Sequence, residues 1–327
     1  MPKRIQYSRH GGPEVLEWTD FTLPAPGDYD VVVENKAIGI NYIDTYFRSG
    51  LYPSPCLPAG LGTEAAGVVL RTGRAVSRVS AGDRVVYAQS AAGAYSEQHI
   101  VHQDRLVILP DSISYQQAAA SFLKGLTVQY LLRQTYPVTA GETLLFHAAA
   151  GGVGLIACQW AKALGAKLIG TVGSAEKAQA AKQAGAVATI NYRQEDIAAR
   201  VLALTGGQKV PVVYDSVGND SWEASLDCLQ RRGLMVSFGN SSGPVTGVNL
   251  GILNQKGSLF VTRPSLSGYI TTASELDAAS HELFTLLASG AIKVPVAESQ
   301  KFALKEAALA HRQLESRATQ GSSLLIP

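Results

Sequence analysis

The sequence predicts an α/β protein of two domains, one a β-rich barrel and the other a doubly wound parallel sheet. Three observations carry that expectation. The chain has 327 residues, more than one hydrophobic core usually organises. Its first third consists of short apolar runs parted by turn residues, and many short strands at such spacing suggest a barrel. From Thr143 onward, apolar strand-like runs alternate with helix-friendly text, the pattern of a parallel sheet with helices on both faces.

Between Ile5 and Tyr95 the text is β-like, as in Asp30–Glu34 and Glu64–Leu70, with turns at Gly11–Pro13, Pro24–Gly27 and Ala81–Asp83. Helices are expected over Gln116–Leu123 and Thr127–Arg133. Strands follow at Thr143–His147, Lys167–Val172, Ala188–Asn191, Val210–Asp215, Gly233–Phe238 and Ser258–Thr262, with helices such as Gly154–Leu164 and Ser174–Gln183 between them. A long helix over Thr272–Ser289, a short Val294–Ala297 run and a helix near Leu304–Ser316 close the chain. The sheet domain, residues 125–264, is therefore expected as an insertion in a β-rich domain built from residues 1–124 and 265–327.

A net charge of +2 is spread along the chain, without the clustered basic stripe of a nucleic-acid or membrane-surface binder. No run of about 18 uncharged apolar residues occurs, and Met1–Tyr7 leads into no signal-like segment, so a cytoplasmic protein is expected. Cys56, Cys158 and Cys228 are too far apart for a zinc cluster or a disulfide framework.

The strongest chemical signal is Leu144–Ala157, where an apolar strand breaks into small residues and resumes as a helix. Small residues permit the tight turn and a close backbone approach to a pyrophosphate, and the helix start offers N–H groups to it. Measured against G-x-G-x-x-G, Gly151 and Gly154 fill the second and third positions and Ala149 stands at the first. Gly151, Gly152 and Val153 are the expected phosphate contacts.

The end of the second strand chooses the cofactor. NAD sites usually place an acid there, roughly twenty residues on, to hold the ribose 2′-hydroxyl; this chain has Gly173 and Ser174. Small side chains leave room for a 2′-phosphate and Lys177 supplies charge, which favours NADPH. Two alternatives stay open: Glu176 reaching a ribose, and Lys177 as a solvated helix lysine. Tyr192 either covers the adenine or packs at the sheet edge. Ser216 and Val217, with Phe238, Gly239, Asn240 and Ser241, fall at the carboxyl edge of the sheet, where ligands of this class lie. Arg317 either reaches the cofactor phosphates or pairs with Glu315 or Glu306. His147, at a strand end, reads as a packed histidine rather than a base.

With these residues in view, the chain resembles the medium-chain dehydrogenase/reductase superfamily over its full length. Gly39–Asp44, Gly60–Gly67, Ala81–Val86 and Ala148–Gly154 occur in that family's order and spacing. Ile40–Tyr52 and Ala118–Thr127 resemble its NADPH:quinone oxidoreductase and zeta-crystallin branch, bacterial quinone reductases above all, a branch that tolerates the alanine at position 149. The resemblance implies a GroES-like barrel and a Rossmann sheet domain. Zinc alcohol dehydrogenases of the superfamily have a cysteine ligand where this chain has Asn41 and a histidine ligand where it has Thr63. Neither replacement is a zinc ligand, and without a Lewis acid the substrate must accept hydride readily.

Quinones do so, needing little beyond orientation and exclusion of water in a cleft between the domains. By resemblance, Asn41, Tyr46 and Tyr52 line the nicotinamide and quinone, with Tyr52 as orienting group or proton donor, while Thr127 and Tyr130 approach the nicotinamide and its ribose. The structural alternatives are a turn cap for Asn41, half-buried barrel residues for the tyrosines and helix packing for Thr127 and Tyr130. Reduction of an activated C=C bond in an enone or enoyl thioester is the competing activity. A NADPH-holding structural or RNA-binding protein is the reading of another class, against which the absence of a basic stripe counts. Pairing of Ser258–Thr262 with its copy would cover a sheet edge, so a homodimer is expected.

Overall fold

Inward-facing Val31, Val33, Val85 and Tyr87 organise the first unit, comprising Met1–Leu126 and Ile270–Pro327 of a computed structural model that describes residues 1–317 and 319–327. Strand β1 (Lys3–Tyr7) pairs antiparallel with β2 (Leu16–Asp20). Then come β3 (Asp30–Gly39), helix α1 (Tyr42–Ser49), β4 (Ala59–Gly60), β5 (Ala65–Thr72), β6 (Arg84–Tyr87), β7 (Gln98–His102), β8 (Leu106–Ile108) and helix α2 (Tyr115–Tyr130). β4 completes the small β2-β1-β4 sheet.

One stretch departs from the β-like reading. Tyr42–Ser49 is helical because Asn41 and Asp44 form a capping box at its start, and Gly50, at φ 82°, supplies the left-handed residue that ends it. Tyr42 and Tyr46 thus share one helix face at i, i+4 instead of alternating across a strand. The two helices expected around residue 125 are one, α2, followed by a π-type turn at Leu131–Thr135.

The second unit, Thr127–Tyr269, alternates β9 (Thr143–Phe146), α3 (Gly152–Ala163), β10 (Lys167–Val172), α4 (Ala175–Gln183), β11 (Ala188–Asn191), α5 (Ile197–Leu204), β12 (Val210–Asp215), α6 (Trp222–Cys228), β13 (Leu229–Ser237), α7 (Gly251–Gln255) and β14 (Phe260–Thr262). All pairs are parallel, in the order β11-β10-β9-β12-β13-β14. The order reverses between β9 and β12, the switch point outside which such sheets hold ligands. Leu145, Ile169, Ile190, Val213, Leu226 and Met235 build its core. β14 is one of the two edge strands, and its Phe260 is 60% exposed.

The first unit resumes with α8 (Ala273–Ala288), started by a Thr272–Glu275 capping box, then β15 (Lys301–Ala303), α9 (Ala307–Glu315) and β16 (Leu324–Ile326). Val294–Ala297 forms no strand. β16 lies between β15 and β3 in a seven-stranded sheet ordered β15-β16-β3-β5-β6-β8, with β7 also paired to β3. Among the described residues no helix is long and apolar enough to cross a membrane.

Candidate active site

In the second unit the chain leaves β9 through His147–Gly151, with Ala148 at φ 53°, and Gly151 N-caps α3. A Cβ on Gly154 would meet Ala148 O at 2.4 Å and Ala149 C at 2.6 Å, so backbone packing demands glycine there. Gly151 would meet only Ala148 O, at 3.3 Å, which leaves the outer side of the turn open. Helix geometry leaves the first N–H groups of α3, those of Gly152 and Val153 among them, without intrahelical acceptors. Ala149 at the first motif position is fully buried. Its methyl is accommodated by Gly170 of β10, where a Cβ would lie 2.4 Å from Ala149 Cβ.

After β10, Ser174 N-caps α4, its Oγ accepting from Lys177 N at 3.3 Å. The same hydroxyl holds the Glu176 carboxyl below its usual range. Tyr192 follows β11 and its hydroxyl closes over Gly173, 2.7 Å from where a Cβ would stand. Gly173, Ser174, Lys177 and Tyr192 therefore share one corner of the sheet's carboxyl edge.

The loops after β12 and β13 are joined by backbone. Ser241 N donates to Ser216 O at 3.2 Å and Ser242 N to Val217 O at 2.8 Å. Gly239 has Ser216 O 2.5 Å from its would-be Cβ, an approach only glycine permits. Phe238 packs its ring against Phe146. Turned so that its oxygen meets the guanidinium, the Asn240 amide accepts from Arg263 at 3.0 Å, and Arg263 also donates to Ser237 O at 2.8 Å. Tyr130 is buried and stacks on Tyr269 with centroids 4.5 Å apart; burial raises its hydroxyl pKa. Thr127 is buried one turn earlier on α2.

Beneath these loops lies a buried network that the sequence did not reveal. Asp215 Oδ1 accepts from Val217 N (2.7 Å) and Gly218 N (3.1 Å), and Oδ2 accepts from the hydroxyls of Ser221 (2.6 Å) and Ser225 (2.8 Å). Burial lowers the pKa of the His147 imidazole, opposed by the nearby Asp215 carboxylate. Ser225 spends its proton on Asp215, so it accepts from His147 Nε2 at 2.9 Å, leaving Nδ1 for the Thr171 hydroxyl at 3.1 Å. His147 is thus the packed histidine that its strand-end position suggests, and it ties the end of β9 to Thr171 of β10 and Ser225 of α6.

In the first unit a second cluster gathers around α1. Asn41 donates its backbone N–H to Asp44 Oδ2 at 2.9 Å and its Nδ2 to Glu64 Oε2 at 2.7 Å. The carboxylate of Glu64 fits because residue 39 is glycine: a Cβ there would lie 2.1 Å from Oε2. Glu64 Oε1 accepts from Leu123 N at 2.6 Å, and Lys124 Nζ stands 3.7 Å from Oε2. Burial pushes the Glu64 carboxyl up, opposed by Lys124, Asn41 and the Leu123 N–H. Burial also pushes Asp44 up to about 7. Tyr95 donates to Asp44 Oδ2 at 2.9 Å and meets His311 Nε2 at 3.1 Å; His311 Nδ1 meets Arg48 at 2.9 Å, and Arg48 ion-pairs with Glu315. Tyr46 and Tyr52 rings meet edge-on at 5.2 Å, and Tyr52 N donates to Tyr46 O. Tyr46 and Tyr52 thus come together, and Asn41 caps the start of the helix that carries Tyr46. Arg317 is exposed in this first unit, just beyond α9, and Glu315 near it pairs with Arg48.

Glu64 and Lys124 were not singled out from sequence; the signal available was one charged residue within the apolar run Ala118–Leu126. The donor set around Asn41 and Thr63 does not fit zinc, since neither side chain offers a thiolate, imidazole or carboxylate and the Glu64 carboxylate is already engaged. Among the described residues no group of three or more His, Cys, Asp or Glu side chains is arranged to hold a metal.

A GroES-like unit combined with a Rossmann-type sheet is the architecture of the medium-chain dehydrogenase/reductases. The family described as alcohol dehydrogenase GroES-like domain matches residues 27–111, and the one described as zinc-binding dehydrogenase matches residues 152–289. The chain is 72% identical to the quinone oxidoreductase of Salmonella typhimurium over 327 residues, all of both chains. It is similar to the crystal structure of Escherichia coli quinone oxidoreductase complexed with NADPH, with a TM-score of 0.99 and 70% identity, covering 99% of this chain and 100% of that one. It is also 41% identical to the 2-haloacrylate reductase of a Burkholderia species, over 98% of this chain and 97% of that one. The chain belongs to the quinone oxidoreductase family of the medium-chain dehydrogenase/reductases.

Proposed function

We propose that the protein is an NADPH-dependent quinone oxidoreductase that works without zinc. The observation that carries this is the carboxyl edge of the second unit's sheet. There an open glycine turn meets the N-terminus of α3, and Gly173, Ser174 and Lys177 stand where a dinucleotide site selective for NADH would carry an acid. NADPH supplies a hydride from its nicotinamide. Gly151, Gly152 and Val153 hold the pyrophosphate, Ser174 and Lys177 the 2′-phosphate, and Tyr192 the adenine. Ser216, Val217 and Phe238–Ser241 carry the nicotinamide half, with Thr127 and Tyr130 beside it; Arg317 is the remaining phosphate candidate. Asn41, Tyr46 and Tyr52 orient the quinone.

Two further assignments rest on this reading. A homodimer is supported by edge strand β14, whose Phe260 and Val261 are exposed apolar residues beside unpaired backbone. A cytoplasmic setting is supported by three free cysteines, Cys56, Cys158 and Cys228. The likeness to 2-haloacrylate reductase favours one second reading, reduction of an activated C=C bond. Fluorescence titration with NADPH and NADH, followed by turnover on benzoquinones and enones, tests both. Preference for NADPH with faster quinone turnover is expected; no uptake of either nucleotide would overturn the assignment, and turnover on enones alone would favour the second reading.

A further inference from the structure

Lys124 sits on α2 with only 5% of its surface exposed, and its Nζ has no hydrogen-bond partner. An ammonium carries three N–H donors, and burying them unused is costly. Glu64 compensates its charge from 3.7 Å, beyond hydrogen-bond reach, with Asp44 also acting on it electrostatically, and the Glu64 carboxylate already accepts from Asn41 and from Leu123 N. Thr63 Oγ1, one residue before Glu64, is equally buried and equally unpartnered. Asn41 spends only one of its two amide hydrogens on Glu64. The cluster therefore holds a surplus of donors whose natural acceptor is committed, and the group that would complete it is an oxygen with lone pairs to offer.

We propose that Lys124 is a catalytic residue of the reduction assigned above: its ammonium, beside Asn41 at the same Glu64 oxygen, takes the substrate's carbonyl oxygen. The inference rests on that reading of function. In the step it serves, hydride carries two electrons from the nicotinamide C–H bond to the quinone, which is reduced as the nicotinamide is oxidised. The hydride forms an O–H bond at one quinone oxygen, the π pair of the other C=O becomes an oxyanion as the ring turns aromatic, and a proton from water, which leaves as hydroxide, completes the hydroquinone. Lys124 and Asn41 hold that oxyanion while the charge develops, the work that a preorganised donor pair does elsewhere. Glu64 keeps the ammonium in place, and the pairing leaves the cluster close to neutral before substrate arrives.

Removing Lys124 alone would strand the Glu64 charge, so the test compares Glu64→Gln with Glu64→Gln/Lys124→Met. We expect the added Lys124 change to lower kcat on benzoquinone by about a hundredfold, as for loss of one oxyanion donor, with NADPH affinity by fluorescence unchanged. Lys124→Arg should restore part of that loss in the Glu64→Gln background. A readout independent of turnover uses 4-nitrophenol, whose colour reports its ionisation. Bound to the unmodified protein it should ionise at lower pH than in water, and the double variant should lose that shift. Equal kcat in the two variants, or a bound phenol that ionises no more readily than in water, would overturn the role of Lys124. Absence of quinone turnover by the unmodified protein would overturn the functional reading beneath it.

Discussion

Ala149 and Gly170 occupy one space between them: the methyl of the first exists because the second has no side chain, a Cβ on Gly170 falling 2.4 Å from Ala149 Cβ. The glycine that dinucleotide turns place at the start of their motif has in effect been moved to the neighbouring strand. Gly170→Ala should therefore overpack this point and cost about 1–3 kcal/mol of stability in urea denaturation. Ala149→Gly in the same chain should return most of it. If the two changes are additive, the residues do not share the space and the explanation fails.

The cofactor assignment turns on charge at the start of α4. Lys177→Ala should weaken NADPH binding by roughly ten- to a hundredfold, the worth of a charge-assisted contact to phosphate. NADH binding should hardly move. Equal losses for both nucleotides would remove Lys177 from the 2′-phosphate.

Asp44 gives stability a pH dependence of unusual sign for a carboxylate. Its pKa rises from 3.8 to about 7 in the fold, so between those values the native state keeps a proton that the unfolded chain has released. Its stabilising contribution is complete below about pH 4 and is lost as pH rises through about 7. His311 and His99 act oppositely, because burial lowers them from 6.5 to about 3 and about 4; their contribution is present above 6.5 and lost as pH falls toward those values. The difference between wild type and Asp44→Asn isolates the carboxyl. Denaturation curves from pH 4 to 8 should show the variant gaining on wild type as pH rises, and a difference that stays flat would exclude Asp44 as the source.

Edge strand β14 is where the dimer assignment can fail. Phe260→Lys places a charge among exposed apolar residues and should weaken association by about 2 kcal/mol, roughly thirtyfold in Kd. Sedimentation would show the variant as monomer at concentrations where wild type is dimeric. A wild-type monomer at micromolar concentration would dispose of the dimer.

Legibility followed the range of the interactions. Strands β10, β11 and β12 were readable to the residue; β10 and β12 lie inside the parallel sheet and are written as largely apolar runs, and β11 is a short half-buried run at its edge. The strand–turn–helix at Ala148–Gly154 was readable for a similar local reason. Helix α1 was not, since its tyrosines resemble strand composition and the deciding feature is a capping box at its first turn. Three-residue β16 carries too little pattern to stand out. The Asn41–Glu64–Lys124 cluster was invisible because its members meet across the fold: Asn41 and Glu64 are 23 residues apart, and Glu64 and Leu123 are 59 apart. Nor does any local motif announce that Asp215 gathers two serines and two backbone N–H groups.

Strand β16 pairs Leu324 with Gly39 and stands between β15 and β3. A ribosome making this chain releases the whole parallel sheet before it releases the strand that the first-made unit is waiting for. Domains generally fold as units during synthesis, so the middle segment can complete its sheet before the first unit can complete its own, whose N-terminal strands wait for β16.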